Sequence, residues 1–254
     1  KNALKGAGFF GGALLLSVFD FQGAIIAMVV MLTIVWVFSL LLLRQELGVM
    51  KHKPAFNQIF SKSTAVNWLS LARFFLFGAR DVWFVVALPV FLHTTLQWDF
   101  WQVGGYLASW IIIYGFIQAV APRLTGKNQT PRAVRIQLVI FGGLLALVPA
   151  GIGISLTNDV SVVYVVTIGL LVFALLFAIN SALHSYLIVR FARTDGASLD
   201  IGFYYMANAG GRLAGTVASG AFYQLFGLQA CLWVATVLIT LASVTAHLLP
   251  QQEA

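Results

Sequence analysis

The chain has 254 residues; 60% are hydrophobic and 9% are charged, with 15 Lys and Arg against 8 Asp and Glu. Globular domains carry about 25% charged residues, so this composition excludes a soluble domain, a disordered chain and a nucleic-acid binder despite a pI near 9.8. A single cysteine, Cys231, excludes a disulfide framework and a Cys-rich metal site.

A helix needs roughly 20 apolar residues to cross a bilayer. Eight such runs occur in chain order: 3–19, 22–43, 66–92, 100–121, 136–156, 161–189, 199–223 and 228–249. The fold class expected is therefore an all-α membrane protein, a helical bundle of about eight transmembrane helices. Pro89 and Pro149 fall inside the third and fifth runs, where kinks are expected. No cleavable signal pattern precedes the first run.

The loops set the expected orientation. Residues 44–65 hold Arg44, Lys51, Lys53 and Lys62; residues 122–135 hold Arg123, Lys127, Arg132 and Arg135; the loop after the sixth run holds Arg190 and Arg193. The alternate loops at 93–99, 157–160 and 224–228 hold no Lys or Arg. The positive-inside rule then places the basic loops and the C-terminal tail in the cytoplasm of a multi-pass plasma (inner) membrane protein.

The seventh and eighth runs read as a second copy of the first two. At an offset of 207, Lys5 aligns with Arg212, Gly8 with Gly215, Phe19 with Phe226 and Gln22 with Gln229, while Gly11 and Gly12 meet Ala218 and Ser219. A parallel repeat of this kind is the signature of transporters built from two equivalent halves. On that basis residues 1–43 are the last two helices of a truncated N-terminal bundle and 44–65 the cytoplasmic loop between bundles. Residues 66–249 form a complete C-terminal six-helix bundle, and 250–254 are the tail. The chain is expected to begin inside a membrane helix, with Lys5 near the bilayer centre.

Outside the loops, Lys5, Arg73, Arg80 and Arg212 lie in or near spans. Each such charge costs about 2.5–3.5 kcal/mol at a helix centre, so the four together cost on the order of 10 kcal/mol unless compensated. Asp81 is the one acidic residue well inside a span. A water-filled, solute-binding cavity lined by Arg80, Arg212 and Lys5 is the expected compensation. Arg73, seven residues before Arg80 and on the same helix face, either joins that cavity or snorkels to the inner boundary. Asp81 is expected to point about 100° away from Arg80, and to pair with a neighbouring helix or carry a coupling proton.

Tyr204, Asn208 and Arg212 are spaced i, i+4, i+8 and form a polar stripe, on which Asn208 and Tyr204 are expected to complete the hydrogen bonds to the solute. Gly211, Gly215 and Ser219 lie close to it, either for tight helix packing or as room for a solute. Asn180 and His184 are four apart on the sixth run. They serve interhelical hydrogen bonds or contact the solute, with His184 a second candidate for proton coupling. Trp83 reads as packing. No Walker A loop, HExxH or GxSxG motif occurs, so an enzyme is not expected, and neither a metal nor another cofactor is implied.

Four stretches carry a resemblance: RFFLFGARDVWFVVALPVFL at 73–92, FAINSALHSYLI at 177–188, GFYYMANAGGRLAGT at 202–216 and KNALKGAGFFGG at 1–12. They closely resemble the organoarsenical efflux permeases of the major facilitator superfamily. The resemblance implies a twelve-helix protein of which this chain covers the fifth to twelfth helices. It also implies export of 1-arseno-3-phosphoglycerate, an ester made when a glyceraldehyde-3-phosphate dehydrogenase uses arsenate, and hence arsenate resistance. Ala121-Pro-Arg-Leu-Thr-Gly-Lys127 keeps the basic residues of the superfamily's loop motif and lacks the acidic one. A strongly anionic solute suits guanidinium groups, whose planar fork donates two parallel hydrogen bonds to an oxyanion. Two other readings remain at this point: a permease for another phosphorylated or carboxylated metabolite, and a non-transporting membrane anion sensor.

Overall fold

A computed structural model describes residues 2–42, 63–126, 130–157, 161–193 and 196–250, with side chains from residue 6 onward. The expected inter-bundle loop lies outside the described residues up to position 62, as do residues 1 and 251–254. The described elements are α1 Asn2–Leu42, α2 Thr64–Phe84, α3 Ala87–Thr94, α4 Phe100–Thr125, α5 Pro131–Ser155, α6 Val162–Phe191 and α7 Ala197–His247. Among the described residues there is no strand.

Six helical stretches here are long and apolar enough to cross a membrane, which makes this a multi-pass helical membrane protein. The eight apolar runs map onto those six because α1 and α7 each continue across a break in helical backbone. Asp20 stands at φ 60, ψ 178 and Gly227 at φ 76, ψ −173.

Local chemistry sets several helix ends. The Ser63 hydroxyl accepts from Val66 N at the start of α2. Asp99 and Gln102 form a reciprocal capping box at the start of α4, with Gln102 N donating to Asp99 Oδ1 at 2.7 Å. Thr130 caps α5, and Pro131 opens it where a missing N–H costs nothing. At the other end of α7, Arg135 Nη1 donates to the carbonyls of His247 and Leu249, neutralising orphan acceptors at a helix C-terminus. The start of α5 and the end of α7 therefore lie together, as the loop charges require.

The expected kink at Pro89 is a two-residue interruption within one apolar stretch, Thr64–Thr94. In an unbroken helix the ring of Pro89 would clash with the carbonyl four residues back, that of Val85, and the helix stops at Phe84 and restarts at Ala87. The N–H of Ala87, left without its intrahelical partner, donates to Ser219 Oγ on α7 at 3.0 Å. Pro149 leaves α5 continuous.

The closest packing joins α2 to the first part of α7, which run parallel and in register. A Cβ on Gly211 would strike the backbone of Phe74, and one on Gly215 would come within 2.5 Å of Gly78 O. Backbones that near each other leave no room for side chains, so the small residues beside the polar stripe serve packing rather than a solute. On the other side, Gly104 of α4 is filled by Ala13 and Phe9 of α1. An aromatic core sits between α2, α4 and α6. Trp83 meets Phe173 at 5.0 Å and Trp110 at 5.8 Å, both edge-on, and is fully buried. The outward surface is coated by exposed apolar side chains such as Phe116, Leu213 and Val217, as lipid contact requires.

Candidate functional site

Asp81 stands at the crossing of α2 and α7 with its side chain fully buried. Its Oδ1 accepts from Arg80 Nε at 2.6 Å and also pairs with Arg80 Nη2; its Oδ2 accepts from Arg212 Nε at 2.9 Å. Asp81 thus does pair with Arg80, although a separation of about 100° on the helix did not require it. The Cβ directions of adjacent helical residues do diverge, but the long Arg80 side chain bends back across them. The pairing of Asp81 with a neighbouring helix, through Arg212, is present as well.

Two guanidiniums share one carboxylate, so this cluster keeps one positive charge. Desolvating an ion costs several kcal/mol, and Coulomb attraction repays that only with good geometry and further hydrogen bonds. Arg80 also lies 5.0 Å over the Phe77 ring and 5.6 Å over that of Phe177, and its side chain is 9% exposed. Arg212 keeps 46% of its side chain exposed.

That exposure has a destination. A cavity of about 790 Å³ is lined by Arg80, Asp81 and Arg212 at one end. From there it runs between α1 and the α2–α4 region, past Phe84, Val103, Leu107 and Ile111, to His93, Thr94 and Phe100. The latter three belong to the ends of α3 and α4 that the loop charges place outside. Gly8 and Gly12 of α1 also border it and have open space where a Cβ would stand. Lys5 lies one turn before Gly8 in α1, and its side chain is outside the described residues.

The other expected site residues lie elsewhere. Arg73 does not snorkel: it is 5% exposed and held inward. Its Nε donates to Asn208 Oδ1 at 3.1 Å, and its Nη1 donates to Ser181 O at 3.2 Å and Ser181 Oγ at 3.1 Å. Its guanidinium carbon lies 3.9 Å from the centroid of Phe77 and 5.2 Å from that of Tyr204. Asn208 and Tyr204 are thus spent on Arg73 and do not line the cavity. Neutral acceptors and ring faces replace a counter-ion there. Asn180 and His184 are also absent from the cavity. They sit in the packed seam of α5, α6 and the end of α7, where Asn180 Nδ2 donates to Leu138 O at 3.3 Å. His184 is 1% exposed and its Nδ1 has no hydrogen-bond partner. The packing there leaves no water-sized space to carry protons.

Sequence reasoning missed Ser181 as a junction: Tyr114 Oη and Gln118 Nε2 of α4 both lie 3.3 Å from its Oγ, beside Arg73. It also missed Phe77, whose ring serves Arg73 and Arg80 together. Phe77 was legible, since residues 73, 77 and 80 are spaced i, i+4, i+7 on one face. Ser181 was not, because its role depends on α2 and α4 meeting α6. Among the described residues no group of three or more metal-ligating side chains occurs. No family model matches the chain, and no curated protein matches it.

Proposed function

We propose that this chain belongs to a secondary transporter that moves an organic oxyanion outward across the cytoplasmic membrane by alternating access. One observation carries the reading: two arginines sharing a single carboxylate form the charged end of a cavity large enough for a metabolite. Anionic cargo would find guanidinium donors in a low-dielectric setting, where charge-assisted hydrogen bonds are strong. The cargo suggested by the four motifs is 1-arseno-3-phosphoglycerate, with a glyceraldehyde-3-phosphate dehydrogenase as the functional partner that makes it. The major facilitator architecture and a cytoplasmic C-terminus belong to the same proposal.

A second reading, a permease for a carboxylated metabolite with an apolar body, is favoured by the cavity wall. Phe84, Val90, Val103, Leu107 and Ile111 offer no hydrogen bonds to the hydroxyls of a polyol. Everted vesicles from cells expressing the full chain distinguish the two. Vesicles supplied with arsenate, the dehydrogenase, glyceraldehyde 3-phosphate and NAD+ as oxidant should accumulate arsenic, and Arg212→Gln should abolish the uptake. Accumulation of an alkyl carboxylate without arsenic would select the second reading. Uptake of neither would refute both.

A further inference from the structure

Resting on the reading that this cavity takes an anion, we propose that Asp81 is the resident stand-in for the cargo. Its carboxylate occupies the arginine donors while the cavity is empty, and the cargo's oxyanion takes them over on loading.

The geometry of the three side chains leads there. Both oxygens of Asp81 are engaged by arginines, and the residue is fully buried. Arg212 commits only Nε to it; among the described residues Nη1 and Nη2 of Arg212 make no hydrogen bond, and the side chain is exposed to the cavity. An oxyanion can therefore start on the open edge of Arg212 before Asp81 lets go. Asp81 faces Arg80 on its own helix and Arg212 on α7, and the cavity brings His93 of α3 to the same space.

Charge arithmetic makes the exchange necessary. The described cluster holds two cations and one anion, leaving a single positive charge. A cargo with an anionic group at each end exceeds that, and its approach to an ionised Asp81 is repulsive at short range. Yielding the arginines turns both of their positive charges to the cargo, which then outcompetes a single carboxylate for them. In return the empty carrier never holds two bare guanidiniums in a low-dielectric site, which would be costly. The same exchange opens the Asp81–Arg212 link between α2 and α7.

Equilibrium binding of 3-phosphoglycerate, a stable probe with both anionic groups, tests this on the full chain in lipid nanodiscs. Asp81→Asn should bind the probe about tenfold more tightly, because a like charge facing the ligand is gone. Its export rate should fall, because nothing displaces the cargo again. Unchanged or weaker binding by Asp81→Asn overturns the proposal and makes Asp81 a fixed support for the arginines. If Asp81→Asn does not reach the membrane, Asp81→Ser decides by the same measurement: tighter binding upholds the exchange, and unchanged or weaker binding overturns it. Binding by no form, wild type included, overturns the anion reading itself.

Discussion

Asp20 and Gly227, the two residues at which long helices of this chain leave helical backbone, are separated by the same 207 positions that align Lys5 with Arg212. Their backbones agree closely, φ 60 and ψ 178 against φ 76 and ψ −173. The sequence comparison did not include this pair, because Asp and Gly are unlike as residues. What the two places share is a bend between successive apolar spans, whatever side chain stands there.

The bend predicts opposite effects at its two copies. This region of backbone space is essentially confined to glycine and costs another residue about 1–3 kcal/mol. Asp20→Gly should therefore raise thermal stability in detergent, and Gly227→Ala should lower it by a similar amount. Unfolding midpoints of the two purified variants check the sign at each site.

The α2–α7 crossing predicts a steep dependence on side-chain size. Gly211→Ala and Gly215→Ala place a methyl against the backbone of Phe74 and Gly78, which cannot rotate away. Overpacking of this sort costs about 1–3 kcal/mol. Gly220→Ala has open space on α7 and should be neutral. Membrane abundance and unfolding temperature of the three variants measure the contrast.

Arg80 and Arg212 should separate folding from binding. Arg80 is nearly buried, packed over Phe77 and Phe177 and tied to Asp81; Arg212 stands half open to the cavity. Arg80→Gln should reduce abundance as well as transport, whereas Arg212→Gln should leave abundance near wild type and remove anion binding. Quantitative blots beside vesicle uptake show the split, and equal abundance of both variants would contradict it.

Arg73 should behave as a structural residue. It joins α2 to Ser181 on α6 and Asn208 on α7 and makes no hydrogen bond to a carboxylate among the described residues. Arg73→Leu should destabilise the bundle by about 2–3 kcal/mol through lost charge-assisted hydrogen bonds and ring contacts, with little change in the affinity of any anion that still binds. Thermal unfolding paired with a binding isotherm tests both halves of that statement.

Orientation is open to direct measurement. An impermeant thiol reagent should label Gln97→Cys in intact cells, and Thr130→Cys only after the membrane is opened. Cys231 is buried and should give little background. The reverse pattern would invert the topology drawn from the basic loops.

The sequence by itself determined the solvent of this protein and its elements. Long apolar runs, the paucity of charge and the alternation of basic loops depend only on local composition, and composition decides what a bilayer accepts. It also marked Arg80, Asp81 and Arg212 as charges that demand an explanation, and Arg73 and Arg80 as sharing one face. Only the tertiary structure decided who answers each charge. Asn208 and Tyr204 were assigned to the cavity by sharing a stripe with Arg212, yet α2 lies so close along that stripe that Arg73 takes both. Asn180 and His184 were likewise claimed by packing, Asn180 donating to Leu138 O on α5 and His184 lying between α5, α2 and the end of α7. A helix period tells which side chains share a face; which neighbour that face meets, and at what depth, is settled by close packing among helices distant in sequence.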